Sequence, residues 1–412
     1  MVTHTMYTFW TFICLILCVV AVSDHRTATG LNQAQKRFVV YLTGQHNIVP
    51  ELSLVSRVTH VALAFMRPEV FNVPDQHEWP MFTTVAEVRP KFKSGTKIQI
   101  AIGGWGNTEP FSIAAKTEKS RKLFAKNIRA MIDATGADGV DIDWEYPGGN
   151  GEDYKQHPNS EKTWEIAAYP KLLAEIRAAI GPSKILSAAV PGLERDMIAF
   201  TWDTIPRINE TIDFLNVMTY DLMNRRDKYT VHHSGLDGSI TALETYSDMG
   251  TYIRELNVGL GFYTKWFRTA NNETCDLVPA IGCRTALMED PVTGADLGKA
   301  GAFSWHDEVP SEVAESFARA MKYGMDDMSG GLFRGHYYMD KQERIFWSWD
   351  APDSITKKLR KVLQFFDHYG YHDLGGVFIW GLGEDAPRFE HLTAVNKALK
   401  EWEDSKFEHQ EL

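Results

Sequence analysis

Asp138-Gly139-Val140-Asp141-Ile142-Asp143-Trp144-Glu145 sets four carboxylates among three large apolar residues. Side chains on a strand alternate between its two faces. Asp141, Asp143 and Glu145 therefore share one face, and Val140, Ile142 and Trp144 share the other. A solvated acidic loop would not be laced with apolar residues at strict alternation. Like charges this close do not all ionise freely, so at least one of the three is expected to keep its proton near neutral pH. A protonated carboxyl beside ionised neighbours is what general acid catalysis needs. Asp138 is out of phase with that face and is expected to support the stretch structurally. Hard cations also take oxygen ligands, so on these residues alone a magnesium or calcium site and a structural carboxylate network stand as alternatives.

Outward from this strand, short apolar β-rich runs recur at Phe38–Leu42, Val58–Phe65, Ile98–Gly103, Ile185–Val190, Phe214–Tyr220, Val258–Phe262 and Val377–Trp380. With Gly139–Glu145 they make eight. Helical patterns lie between most of them. Glu118–Thr135 carries Leu123, Phe124, Ile128 and Met131 on one stripe, with Thr117 as a cap and Gly136 as a stop. Ala168–Ile180, 242–256, 355–369 and 389–402 also read as helices. Repeated strand–helix units imply parallel strands, and eight of them an α/β protein of the (β/α)8 TIM-barrel type with its chemistry at the C-terminal strand ends. Glu145 falls at such an end.

The spacing breaks once. From Phe262 to Gly375 the interval is too long for one helix and its loops. It holds Trp266, Trp305, Gly330-Gly331-Leu332-Phe333 and His336-Tyr337-Tyr338. Residues 264–345 therefore read as a small α+β insertion, with a helix at Glu312–Tyr323, and residues 37–263 and 346–402 as the barrel. No repeat, linker or second Cys-rich module marks a separate carbohydrate-binding domain.

The net charge of −11 and the lack of any basic run argue against nucleic acid and fit a neutral or cationic substrate. Twelve Trp, fifteen Tyr and twenty-two Phe serve the core first, and they also suit sugar rings, whose C–H faces stack on aromatics. Thr8 to Val22 is an apolar run too short for a bilayer span. Ala21-Val22-Ser23 has the small residues of a signal-peptidase site. Residues 1–23 thus read as a secretory signal and 24–36 as a polar leader. No Lys or Arg precedes Arg26, so an uncleaved anchor is the alternative. Export would leave Cys275 and Cys283 as a plausible disulfide, worth about 2.5 kcal/mol on chain entropy. Asn209-Glu210-Thr211 and Asn272-Glu273-Thr274 are glycosylation acceptors in a eukaryotic secretory pathway. His232-His233 reads as a solvated pair in the loop after the sixth strand rather than a groove lining. There is no His-Glu-x-x-His, no Cys-x-x-Cys and no phosphate-cradling Gly loop, so no metal or organic cofactor is expected.

The central stretch, followed by Tyr146-Pro147, resembles the Asp-x-x-Asp-x-Asp-x-Glu motif of family 18 glycoside hydrolases, the chitinase family, with every fixed position filled. The resemblance runs over about residues 37–400. Phe65 ends a segment similar to the family's second strand. Ile98-Gln99-Ile100-Ala101-Ile102-Gly103-Gly104-Trp105 is similar to its third, with Ala101 where a Ser usually supports the acids. Ser187-Ala188-Ala189-Val190-Pro191, Met218-Thr219-Tyr220-Asp221, Gly261-Phe262-Tyr263 and Gly375-Gly376-Val377-Phe378-Ile379-Trp380 are similar to the fifth to eighth. The large insertion after the seventh strand is a family feature too, and the loops are closest to those of fungal chitinases.

The resemblance implies a secreted, monomeric chitinase that cleaves chitin or its oligomers with retained configuration. The sugar's own N-acetyl carbonyl would act as nucleophile, one of the exceptions to the two-carboxylate scheme. Glu145 would be the acid and then the base. Asp143 would hold the acetamido N–H, and Asp141 would share a proton with Asp143. Tyr220 would orient the acetamido oxygen and Trp380 would lie under the reacting sugar. Asp221, Trp105, Met218, Tyr41, Phe65, Tyr146 and Tyr263 complete the expected sugar contacts. An endo-β-N-acetylglucosaminidase acting on N-glycans and a non-catalytic chitinase-like lectin are the alternatives.

Overall fold

The computed structural model describes residues 36–410 apart from 272–274, 278–279, 328–333 and 369–373. The signal, the leader up to residue 35, Asn272 and the Gly330–Phe333 run lie outside the described residues. Among the described residues thirteen strands follow one another: β1 (Arg37–Thr43), β2 (His60–Met66), β3 (Lys97–Gly103), β4 (Gly139–Asp143), β5 (Ile185–Pro191), β6 (Phe214–Met218) and β7 (Leu256–Gly261), then β8 (Tyr263–Arg268), β9 (Ala300–Ser304), β10 (Met325–Asp326), β11 (His336–Asp340), β12 (Ile345–Trp349) and β13 (Gly376–Trp380). β1–β7 and β13 close a parallel barrel in the order β1-β13-β7-β6-β5-β4-β3-β2. This is the (β/α)8 architecture expected from the sequence.

Period two decides what each strand buries. Val140 and Ile142 of β4, Val40 and Leu42 of β1, and Val377 and Ile379 of β13 point outward into the shell packed under the helices. Tyr41, Ala101, Phe214, Met218 and Phe378 point inward and form a separate cluster in the barrel. Asp141 and Asp143 share that inward parity. Trp144 packs outward, stacked on Phe111 with centroids 5.4 Å apart. The acids are thus held on the inside of a strand whose other face is anchored in the apolar shell.

The helix over Glu118–Thr135 has the expected limits, with Thr117 accepting from Ser120 N and Gly136 closing it at φ 71°. The next helix runs Asn159–Ile180, starting well before Ala168 and carrying Pro170 inside. Its first turns are polar, so they show no stripe. The helix expected at 242–256 lies instead at Leu236–Asp248.

The insertion is a five-stranded antiparallel sheet, β10-β11-β12-β8-β9, with a helix at Ala314–Tyr323. Ile345–Trp349 pairs with both β8 and β11, so the expected return to the barrel at residue 346 falls inside a central strand of the insertion. The barrel resumes with the helix Pro352–His368. No helix among the described residues is long and apolar enough to cross a membrane.

Candidate active site

β4 carries the acids to the C-terminal mouth of the barrel. Asp141 is fully buried, and its neighbours on the adjacent strands are Ala101 on β3 and Ser187 on β5. Ala101 offers no hydrogen bond. Ser187 Oγ donates to Asp141 Oδ1 at 2.5 Å, Tyr41 OH donates to Oδ2 at 2.6 Å, and Asn216 Nδ2 lies 3.4 Å from Oδ1. Gln99 Nε2 in turn donates to Ser187 Oγ at 2.9 Å. The hydroxyl missing from the third strand is therefore present on the fifth. Behind this ring, Asn216 Oδ1 accepts from Asn257 Nδ2, and Asn257 Oδ1 accepts from Arg37 Nε. A polar chain thus runs down the barrel interior.

Asp143 is buried, and its Oδ1 has no hydrogen-bond partner among the described residues. Burial first, then the charges of Glu145 and Asp141, push its carboxyl well above the usual range. Glu145 lies just past the strand. Burial, with the negative charge of Asp221 second, pushes it up to about 8. Both carboxyls are thus shifted towards the protonated form, with desolvation ahead of like-charge repulsion as the cause. Asp141 is also raised by burial, against the three hydrogen bonds that favour its charged form. Both of its oxygens already accept, and no hydrogen bond joins it to Asp143 among the described residues, so the expected shared proton is not seen in this arrangement.

Gly103 and Gly104 let β3 end against β4. A Cβ on Gly103 would sit 2.1 Å from Asp143 O, and Gly104 N donates to that same oxygen at 2.8 Å. Both glycines have positive φ, 116° and 86°. The peptide bonds Ala64–Phe65, Glu145–Tyr146 and Trp380–Gly381 at the mouth are cis.

A groove of about 950 Å³ opens over these groups. Asp143, Glu145, Tyr220, Asp221 and Met218 line it, as do Trp105, Tyr146, Tyr263, Phe65, Tyr41 and Trp380. Trp380 stacks on Phe65 with centroids 5.4 Å apart, and Tyr41 meets Trp380 at 5.5 Å. Trp105 is 48% exposed and presents a face to the groove. Tyr41 is 1% exposed with its hydroxyl on Asp141. It is a support for the acid more than the sugar contact it was expected to be. Burial holds the Tyr220 phenol far above its ordinary range, so it remains a donor. Asp138 sits at the opposite end of β4, where Oδ2 accepts from Ile98 N and Arg89 Nη2, which suits a structural part.

Asp221 adopts φ 54° at the end of β6. Tyr263 OH and Lys265 Nζ donate to its Oδ1 at 2.7 and 2.9 Å. Burial alone would raise its pKa, but the charge of Lys265 and these hydrogen bonds hold it below the usual value. The structure corrects the reading of the His232-His233 pair. Both are buried, His233 completely. His233 N donates to Ser348 Oγ of the insertion, and its ring lies 5.4 Å from that of Tyr263. Burial pushes it down to about 3, so it is a neutral packing group under Asp221. Sequence reasoning missed the parts of Ser187, Asn216 and Lys265, none of which stands in a local pattern that marks it. Cys275 and Cys283 are both buried in the insertion, and the expected disulfide between them is not formed in this structure. Asn209 is half-buried, and its Nδ2 donates to Gly250 O at 2.9 Å.

Fold and site define a (β/α)8-barrel protein with a strand-borne carboxylate triad at the mouth of an aromatic groove. The model of glycosyl hydrolases family 18 matches residues 37–385, and the chain belongs to that family. It is similar to probable chitinase 10 of Drosophila melanogaster, at 23% identity over 316 residues, which are 74% of this chain and 12% of that protein. It is 27% identical to chitotriosidase-1 of Mus musculus over 244 residues, 54% of this chain and 51% of that one. The chain therefore spans about half or less of these two relatives. The solved structure of chitinase RmChi1 from Rhizomucor miehei shares the fold, with a TM-score of 0.68 at 20% identity, covering 88% of this chain and 100% of that one.

Proposed function

We propose that the protein is a secreted chitinase that hydrolyses β-1,4 bonds between N-acetylglucosamine units with retention, using the substrate's own acetamido group as nucleophile. The observation that carries this reading is the placement of Glu145, whose carboxyl burial pushes up to about 8, just past the strand that carries Asp143 and in the same groove. Two carboxylates on one side of the sugar do not supply the opposed pair of the ordinary scheme. The nucleophile must then come from the substrate.

In the first step the acetamido oxygen bonds to the anomeric carbon and the glycosidic bond breaks. The Glu145 proton goes to the leaving oxygen. Asp143, with Oδ1 unpartnered, accepts the acetamido N–H of the oxazolinium ion. Tyr220 donates to the acetamido oxygen. In the second step water attacks the anomeric carbon, the bond from the acetamido oxygen to that carbon breaks and restores the N-acetyl group, and the water's proton passes to Glu145. Trp380 supports the reacting sugar and Asp221 binds beside it. No cofactor enters either step.

The same reading has residues 1–23 as a signal and the chain acting as a monomer outside the cell. Asn272 and Asn209 would carry glycans. At Asn209 a glycan would displace the hydrogen bond to Gly250 O.

The test is hydrolysis of chitin hexamer by the wild type and by Glu145→Gln, with the product anomers resolved. The wild type should release β-anomers first. The variant should bind the hexamer yet lose about 10²–10⁴-fold in rate. Binding without cleavage by the wild type, or α-anomers as first products, would overturn the reading.

A further inference from the structure

Residues 289–296 of the insertion form a stiff finger. Glu289 and Asp296 pair as an antiparallel bridge. Asp290 N donates to Ala295 O and Gly294 N to Asp290 O, both at 2.8 Å. Asp290 Oδ1 accepts from Val292 N and Thr293 N at 2.9 and 2.7 Å. At its base Leu297 N donates to the carbonyl of Met288, whose side chain is buried in the insertion's own core. The turn is thus saturated internally, and its shape does not depend on what it touches.

What it touches is the far wall of the groove. The loop after β4, which continues from Glu145, meets the finger through three hydrogen bonds. Tyr154 OH donates to Glu289 Oε1, Lys155 Nζ donates to Pro291 O at 3.0 Å, and Gln156 Nε2 donates to Thr293 O at 3.1 Å. The loop after β6 adds an ion pair, Arg225 Nη1 to Asp296 Oδ2 at 2.9 Å. Arg226 lies 3.9 Å over the Tyr154 ring and donates to Asn150 O and Gly151 O. Tyr154, Glu289 and Asp296 also line the groove. β7, from which the insertion leaves, is three strands away from β4 around the barrel. The two walls therefore meet beyond Glu145.

The direction of the groove follows from the chemistry above. Trp380 on β13 lies under the sugar that is attacked. Glu145 faces it from β4 and protonates the oxygen on the leaving side. On that reading the leaving sugars would run from Glu145 along the lining past Tyr146 to Tyr154, and in a β-1,4 chain they carry the reducing end.

We propose that the 289–296 finger closes the leaving-group end of the groove, so that the protein admits chitin by its reducing end and releases short reducing-end fragments instead of cutting within a chain. This rests on the glycosidase reading above. The substrate is then a free reducing terminus, and the finger together with Tyr154, Lys155 and Gln156 sets how many sugars fit beyond the cut.

The test uses chitin hexamers carrying a bulky fluorophore at either the reducing or the non-reducing end. The wild type should cut the reducing-end conjugate at least about tenfold more slowly than the unlabelled hexamer, because the label clashes with the closed wall. The other conjugate should be cut at a rate within about twofold of the unlabelled one. Replacing residues 290–295 by a short glycine linker should bring the reducing-end conjugate back towards the unlabelled rate. Tyr154→Phe combined with Gln156→Ala should do so in part and guards against a misfolded deletion. Equal cutting of both conjugates by the wild type, or discrimination that survives both variants, would overturn the proposal. If the unlabelled hexamer is not cut at all, it is the glycosidase reading that fails. Binding of the two conjugates then decides the finger: weaker binding of the reducing-end conjugate that the variants relieve supports it, and equal binding overturns it.

Discussion

Replacing Glu145 with Gln should make the folded protein more stable at pH 8 and leave it nearly unchanged at pH 4.5. Burial, then Asp221, raises the carboxyl from an ordinary 4.5 to about 8. Below 4.5 both folded and unfolded chains carry the proton, so ionisation contributes nothing to the difference. Between the two values the folded state holds a proton that the unfolded state has released. Wild-type stability then falls as pH rises, by about 1.4 kcal/mol per unit. Gln has no such term. Over the roughly 3.5-unit window the variant should gain up to about 5 kcal/mol, and about 2–3 kcal/mol after allowance for partial exposure and for coupling to Asp143. Above pH 8 the difference should level off. The assay is urea unfolding of both proteins at half-unit steps from pH 4 to 9, followed by tryptophan fluorescence. A stability difference that is flat across this range would refute the argument, because it would mean that Glu145 titrates alike in both states.

Ser187→Ala removes a hydrogen bond that lowers the pKa of Asp141, so the acid limb of the kcat/KM profile should move up by about one pH unit, whereas an unmoved limb would deny Ser187 any hold on the acid. Asp221→Asn removes the charge that ranks second in raising Glu145, and the alkaline limb should fall below pH 8 in the same titration. Trp144→Ala empties a fully packed site between Phe111 and Tyr169 and should cost about 3–5 kcal/mol in urea unfolding. A cost under about 1 kcal/mol would show that the apolar face of β4 is not its anchor.

The barrel was legible because each parallel strand, covered on its outer face by helices, is a short run of β-branched and aliphatic residues. The acid face was legible because period two sorts Asp141 and Asp143 from Val140 and Ile142 within five residues. The insertion was harder to delimit. β7 ends at Gly261 and β8 begins at Tyr263, so one continuous apolar run holds two strands of different sheets. β12 reads as another apolar run, and nothing local shows that its partners are β8 and β11. His233 looked solvated for the same reason. What buries it is Ser348, 115 residues further on, together with Tyr263. Ser187 stood in plain view on its strand, but its partner Asp141 lies 46 residues back, and only the register of β4 with β5 brings them together.

β13 closes the barrel between β1 and β7 and brings Trp380 with it. Its partners on β1 are made more than three hundred residues earlier, and the long-range pairing must wait for the whole insertion to leave the ribosome. Until then the acids of β4 sit in an open sheet, without the Trp380 ring across the groove and without Glu384 packed behind Thr43. A nascent chain therefore lacks one wall of the groove however much of its acid motif has been synthesised. The order of synthesis thus leaves the groove open until the end, because the last described strand to emerge is also the one that completes it.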